Sequence, residues 1–423
     1  MMTFQSLNLS TPLLQALKSK GYTVPSPIQE KAIPFVLEGK DIFGSARTGT
    51  GKTAAFALPI LHMLSNKQKT SRHARALILA PTRELAQQIS DSFSDYGKNT
   101  RLKHTVIYGG VSQKNQVDSL RRGVDIIIAT PGRLLDLMQQ KHLSLHAIEY
   151  LVLDEGDRML DMGFINDINR ICAEVPVQRQ SMLFSATLSK EIKKLAANIL
   201  TEPVNIDIEP DKTIDTFTKE QVFLIDKASK ASLLQHLVTE ERIDRSLVFT
   251  RTRRGADKLV KALARIGIMA QAIHGDKSQA QRQRALNQFK SRKLSMLIAT
   301  DVASRGIDIN DLSHVINFDI PEQTETYTHR IGRTGRAGLD GIAYSFCSPD
   351  EKSYLKDIQR FTGKNIPVAE HPYSSSFAES AIAQPVENGR QKRNGNKKAS
   401  WGNANDLKSK GRRPRREFSR QNG

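Results

Sequence analysis

The sequence predicts an α/β protein: two tandem domains, each a doubly wound parallel sheet, followed by a basic tail. Three observations carry this. Short, near-continuous apolar runs alternate with longer helical patterns. The alternation breaks once, at a Pro-, Asp- and Thr-rich stretch, and then restarts. The final segment loses its apolar residues and gains positive charge.

The strand candidates of the first half are "DIFGSA", "ALILA", "VDIIIAT", "YLVLD" and "SMLFS". Their continuous apolar character suits strands buried on both faces of a parallel sheet. Between them lie helical patterns such as "RELAQQISDSFSDYG". Earlier, "STPLLQALKSKGY" carries Pro12 near a helix start and Gly21 just past its end. Such alternation argues for a doubly wound fold. The stretch "DIEPDKTIDTFTK" reads as a linker. "QVFLI", "SLVFT", "IMAQAIHG", "SMLIAT", "HVINF" and "AYSFC" then supply a second domain of similar size. The expected division is 1–206, a linker at 207–219, 220–368, and a disordered tail at 369–423 whose Asn, Gly, Ser, Lys and Arg content cannot build a core.

The chain has 63 Lys and Arg against 44 Asp and Glu, a net charge of +19. Residues 390–423 hold 12 Lys and Arg against 2 acids, so +10 of that excess sits in the tail. A localised surplus favours a polyanionic partner, nucleic acid before membrane. Cys172 and Cys347 have neither metal-ligand spacing nor a disulfide framework, which fits a reducing cytosol. "MMTFQSLNLS" lacks a secretory pattern, and "AAFALPILHML" is too short to span a bilayer. The expected location is cytoplasmic, with no membrane partner.

"GSARTGTGKT", residues 44–53, follows a strand and opens a helix, the setting a phosphate-binding loop needs. Backbone N–H groups from Ala46 through Thr48, Gly49, Thr50 and Gly51 would cradle phosphate at the helix N-terminus. Lys52 would reach the β and γ phosphates, and Thr53 would ligate Mg²⁺. Ala46 stands where the consensus loop has its first glycine. "YLVLDEGD" ends a strand in three carboxylates within four residues, which are costly to bury without a cation. Asp154 would hold Mg²⁺, and Glu155 would orient and deprotonate a water that attacks ATP. In "SAT", Ser185 and Thr187 are placed to bond Asp157, although plain strand-to-turn punctuation accounts for them equally. In "YTHRIGRTGRAG", Arg333 and Arg336 suit a γ-phosphate contact across closing domains, or a basic loop for nucleic-acid phosphate.

Taken together, these residues resemble the DEAD-box ATP-dependent RNA helicases over roughly residues 1–365. "GYTVPSPIQ" resembles the Q motif and "ARTGTGKT" motif I; "PTRELA" (81–86), "TPGRL" (130–134) and "SAT" match Ia, Ib and III. "VFTRT" (248–252), "ATDVASRGID" (299–308) and "HRIGRTGR" (329–336) match IV, V and VI, in family order. The core with its basic tail is similar to the bacterial RhlE-type subgroup.

The resemblance implies two RecA-like domains that couple RNA-stimulated ATP hydrolysis to local unwinding or remodelling of short duplexes or RNPs. It implies Tyr22 stacking on adenine, Gln29 reading the adenine edge, and Asp301 touching the ribose or metal network. It gives Arg333 and Arg336 to the γ-phosphate. It implies RNA contacts at Arg83, Gly110, Thr130, Arg133, Arg251, Arg282 and Thr300, residue types suited to backbone phosphate. Partners in ribosome assembly or RNA degradation follow from the resemblance alone. The departure is Gly156, where the family has alanine; no catalytic atom is lost. Two other readings stay open: an RNA-annealing chaperone without ATPase, and a DNA translocase on the same architecture.

Overall fold

The computed structural model describes residues 2–46, 49–67, 72–208, 218–241, 243–301, 312–335 and 341–373. The first sheet contains β1 (Ile42–Ser45), β2 (Ala76–Leu79), β3 (His104–Ile107), β4 (Ile126–Ala129), β5 (Tyr150–Leu153), β6 (Gln180–Ser185) and β7 (Val204–Asp207). Its order is β3-β4-β2-β5-β6-β1-β7 and every pairing is parallel. The second contains β8 (Thr218–Leu224), β9 (Ser246–Phe249), β10 (Ala270–Ile273), β11 (Met296–Ala299), β12 (His314–Asn317) and β13 (Gly341–Cys347). Its order, β10-β11-β9-β12-β13-β8, is likewise parallel. The expected pair of doubly wound domains is the architecture found.

Each sheet is covered on both faces, which is why its inner strands are apolar throughout. Ile78, Ile128, Val152 and Phe184 pack on one side of the first sheet, and Leu77, Ile127, Leu151 and Leu183 on the other. Val248, Ile298 and Ile316 against Leu247, Leu297 and Val315 repeat the pattern in the second. Helix ends follow local chemistry. Pro12 lies in the first turn of helix Thr11–Ser19, and Gly21 beyond it has φ +76°. The helix Arg83–Gly97 starts where the Thr82 side chain accepts from Leu85 N–H.

The described chain continues beyond 369, the residue expected to begin the tail. Val222 N–H donates to the Pro367 carbonyl, and Ala369 N–H to the Val222 carbonyl, so residues 367–369 bridge to β8. His371 Nε2 lies 2.8 Å from the Leu224 carbonyl, and the Tyr373 ring meets His236. Main-chain pairing of this kind leaves no mark in composition. Residues 209–217 of the expected linker, and 374–423 of the expected tail, lie outside the described residues.

Candidate active site and nucleic-acid surface

Strand order divides the C-terminal edge of the first sheet. β5, β6 and β1 are neighbours, so the acidic strand end, the "SAT" turn and the phosphate loop lie side by side. β3, β4 and β2 form the other half and carry Gly110, Thr130 and Arg83 just past their ends. Ligands of open parallel sheets bind outside these carboxyl ends.

In the loop, Gly49 and Gly51 have φ of +88° and +92°, which side-chain-bearing residues rarely adopt. A Cβ at Gly51 would collide with Gln29 Nε2. Thr48 lies outside the described residues. Lys52 is buried at the start of helix Lys52–Asn66, with Nζ donating to the Ala46 carbonyl at 3.0 Å; Thr53 follows in the same turn. A brace holds the loop from outside. Ser26 and Gln29 form a capping box on helix Pro27–Leu37. Ser26 Oγ donates to the Thr50 carbonyl at 2.7 Å, and Gln29 Nε2 to the Gly51 carbonyl at 3.0 Å. Gln29 Oε1 accepts from Ser26 N–H. These bonds use one N–H and one oxygen lone pair of the Gln29 amide, half of its hydrogen-bonding capacity. Tyr22 is 50% exposed.

Asp154 and Glu155 are both buried. Burial pushes Asp154 up to about 6, with Glu155 and Asp157 adding to the shift and Lys52 opposing it. Glu155 sits at φ 54°, ψ 54°, a left-handed conformation that costs a non-glycine residue about 1–3 kcal/mol and collects at functional sites. Its Oε2 accepts from Arg158 Nη1 at 2.6 Å. Burial pushes Glu155 up, but the charges of Arg158, Lys52 and Arg333 outweigh it and hold the carboxyl below its ordinary range.

Asp157 Oδ2 accepts from Ala186 N–H, Thr187 N–H and Thr187 Oγ1 at 3.0, 3.0 and 3.2 Å. Ser185 meets that cluster through Thr187: its Oγ donates to the Thr187 carbonyl at 2.8 Å and accepts at 3.3 Å from the same Thr187 N–H that bonds Asp157. Gly156 opens the helix Gly156–Asp161 beside Leu183; a Cβ would meet Leu183 Cδ1 at 2.7 Å.

Arg333 is buried, and its charge acts on Glu155. Arg336 lies outside the described residues. Both oxygens of Asp301 accept from Arg330, whose Nε and Nη2 each stand 2.7 Å away, so Asp301 anchors a buried arginine. Arg330 Nη1 also donates to Asn317 and to the Asp319 carbonyl.

On the other half, Gly110 has φ +76°, and a Cβ there would strike the Arg83 guanidinium. Arg133 Nη1 lies 3.4 Å from the Val111 carbonyl, so Arg83, Gly110 and Arg133 share one small surface. Thr130 precedes helix Pro131–Gln139. From the second sheet, Thr300 directly follows β11, and Arg251 follows β9. Arg251 donates to Glu351 Oε1 at 2.9 Å and to the Ile320 carbonyl at 3.1 Å. Arg282, expected on RNA, is paired with the buried carboxylate of Glu84 at 3.0 Å, which also accepts from Gln279. A carboxylate that deep draws the nearest guanidinium to itself.

The sequence reading missed Ser26, Arg158, Arg330 and Glu84. The S-x-x-Q spacing before an apolar run was a usable signal for Ser26, and the i, i+3 spacing from Glu155 one for Arg158. Arg330 and Glu84 have partners far away in sequence, and no local pattern marks them.

Two parallel sheets, a glycine loop entering a helix, and buried carboxylates at the adjoining strand end define a nucleotide-hydrolysing protein of the phosphate-loop class. Family models agree: "DEAD/DEAH box helicase" matches residues 26–195, and "Helicase conserved C-terminal domain" residues 229–338. The DEAD-box ATP-dependent RNA helicase RhpA of Helicobacter pylori is 43% identical over 370 residues, 88% of this chain and 74% of that protein. CshA of Bacillus cereus is 42% identical over 392 residues, 92% and 74% of the two chains. The structure of S. cerevisiae Dbp5 bound to RNA and ADP BeF3 superposes with a TM-score of 0.77 at 32% identity, covering 87% of this chain and 96% of that one. This chain belongs to the DEAD-box ATP-dependent RNA helicases, enzymes that hydrolyse ATP and act on RNA.

Proposed function

We propose that Glu155 is the general base of this helicase, and that Arg158 keeps it ionised and aimed. The observation that carries this is the convergence of Arg158, Lys52 and Arg333 on one buried carboxylate in a left-handed backbone. In the proposed reaction a water loses its proton to Glu155 and bonds to the γ-phosphorus, while the bond to the β-phosphate oxygen breaks, giving ADP and phosphate. Lys52 exchanges the Ala46 carbonyl for a phosphate oxygen. Arg333 and Arg336 donate to the γ-phosphate, Tyr22 and Gln29 hold adenine, and the N–H groups of Ala46–Gly51 line the phosphates.

Mg²⁺ fits the residues present. Asp154 is a desolvated carboxylate whose ionisation a divalent cation would restore. Among the described residues no group of three or more His, Cys, Asp or Glu is arranged to hold a metal. Thr53 and Asp154 would therefore hold the ion together with phosphate and water oxygens. When bound, it neutralises charge on the phosphates.

Arg83, Gly110, Thr130, Arg133, Arg251, Arg282 and Thr300 are proposed to hold the RNA backbone, Arg282 being also paired with Glu84. Asp157 and Thr187 would relay the state of the ATP site through the turn after β6. The proposed domains, 1–206 and 220–368, follow the two sheets to within two residues at Asp207 and Thr218, and the packing of His371 favours carrying the second one a few residues further. The RhlE-type assignment is supported by the basic tail; partners in ribosome assembly or RNA degradation stand on resemblance. A cytoplasmic location is supported by two free cysteines. Among the described residues, no helix is long and apolar enough to cross a membrane.

The test is phosphate release with and without RNA, for the wild type and Glu155→Gln. RNA-stimulated release in the wild type, absent in the variant, supports the reading; equal release from both overturns it.

A further inference from the structure

We infer that the outer face of helix Arg253–Ala264 is an additional RNA-phosphate surface, one that holds the duplex flank of a bound RNA. The inference rests on the RNA-binding activity of the family and extends it to residues given no role above.

Arg254, Lys258, Lys261 and Arg265 are all exposed. At 100° per residue they fall within an arc of about 60°. The opposite face, Ala256, Leu259 and Leu263, is buried. The four therefore form one straight line of positive charge, about 16 Å long at 1.5 Å per residue.

Nearby carboxylates are already engaged. Asp276 pairs with Arg253 at 2.6 Å, and Asp257 with Lys277 at 2.8 Å and His274 at 3.1 Å. Among the described residues none of the four stripe cations has a carboxylate in ion-pair reach. Like charges three and four residues apart disfavour a helix, so the stripe works against its own element until a polyanion lies on it.

The chemistry of the stripe narrows the partner. No aromatic residue lies in it, and Gly255, Ala262 and Ala264 flank it. A single strand held by base stacking needs aromatic platforms; a duplex backbone needs only cations and close approach. One strand of a DNA duplex carries roughly one charge per 3.4 Å of axis, and the more compact A-form of RNA spaces its phosphates no wider along the axis, enough for four contacts over this length. The helix also begins directly after Arg251 and Thr252, and Thr252 Oγ1 caps it by accepting from Gly255 N–H at 3.0 Å. The stripe is thus continuous with the proposed RNA track, which favours RNA over an acidic protein or an anionic membrane.

The test uses the full chain with Arg254→Gln, Lys258→Gln, Lys261→Gln and Arg265→Gln combined. A second variant exchanges Arg and Lys at the same four positions. Binding is titrated against salt with a short single-stranded RNA and with the same strand carrying a duplex flank. For the neutralised variant, at least a tenfold loss is expected on the flanked RNA beyond any loss on the short strand. The salt slope for flanked RNA should become shallower by about 2–4. The charge-conserving variant should keep the wild-type slope. An unchanged slope on flanked RNA overturns the inference. So does a defect confined to anionic vesicles or an acidic polypeptide. Because binding is measured without turnover, a failed assignment of Glu155 would leave this comparison decisive.

Discussion

Arg158 donates through Nη1 to Glu155 Oε2 at 2.6 Å, and both residues are buried. The charge of the proposed base is thus a property of its local structure, and removing the guanidinium leaves a carboxylate without its nearest cation. Arg158→Met is expected to cost about 3–5 kcal/mol of stability, the usual result of breaking a buried pair from one side. It should lower kcat at least tenfold with a smaller change in KM for ATP, and Arg158→Lys should recover part of both. Urea unfolding and steady-state kinetics check this.

Glu155→Gln keeps the shape of the side chain but removes its basicity. Turnover should fall by about 10²–10⁴, the range of general-base contributions, while ATP binding stays within a fewfold. A variant that still turns over at the wild-type rate would exclude Glu155 as the base.

Asp154 should respond to pH in the opposite sense from a carboxylate stabilised by an ion pair. Its folded-state pKa, about 6, lies above the ordinary aspartate value of 3.8. Between those values the folded state binds more protons than the unfolded state, so stability falls as pH rises through the window. Without nucleotide or metal, Asp154→Asn should therefore be more stable than wild type above pH 6, by up to about 3 kcal/mol, and show no gain below pH 3.8. Thermal unfolding across that range is the measurement.

Gly156 borders Leu183, whose Cδ1 a new Cβ would approach to 2.7 Å. Gly156→Ala is expected to displace that side chain, at a cost of about 1–3 kcal/mol for overpacking. Restricted backbone freedom should return about 0.5–1 kcal/mol. Adding Leu183→Ala to Gly156→Ala should cost less than the sum of the single changes. RNA-stimulated kcat of Gly156→Ala should stay within a fewfold of wild type, whereas the larger Gly156→Val should lose it. Inactive wild type with strongly active Gly156→Ala would favour the annealing-chaperone reading.

Truncation should divide at Tyr373. A chain ending there keeps the bridge to β8 and the His371 contact, so it should unfold like the full protein while its RNA binding becomes less salt-dependent. A chain ending at residue 365 loses those contacts and should melt at a lower temperature. Equal melting temperatures would show that residues 366–373 add nothing to the fold.

The central strands were legible because burial on both faces writes them as apolar runs: Leu77, Ile127 and Leu151 needed no partner to be recognised. β3 and β7 were not. His104 and Val106 alternate with better-buried residues, and Asn205 and Asp207 face solvent at the sheet edge; a rule tuned to continuous apolar runs passes over such strands. The phosphate loop and the acidic strand end were legible as contiguous chemistry. Pairings such as Asp301 with Arg330, or Glu84 with Arg282, depend on which strands the fold sets side by side. Arg282 shows the consequence: its residue type suits phosphate, and only the fold reveals that it also pairs with the buried Glu84.

Asp154 N–H donates to the Leu79 carbonyl at 3.0 Å. That bond joins the strand bearing the proposed metal ligand to the strand that, four residues on, reaches Arg83. The proposed metal and RNA sites would thus sit on adjacent rails about 4.8 Å apart, joined by the β2–β5 pairing. A displacement of one strand end arrives at the other as a change in that rung. On the proposed roles, this rung is a short second link beside the turn that carries Asp157 and Thr187, and substitutions at Leu79 or Ala80 are where it would first come loose.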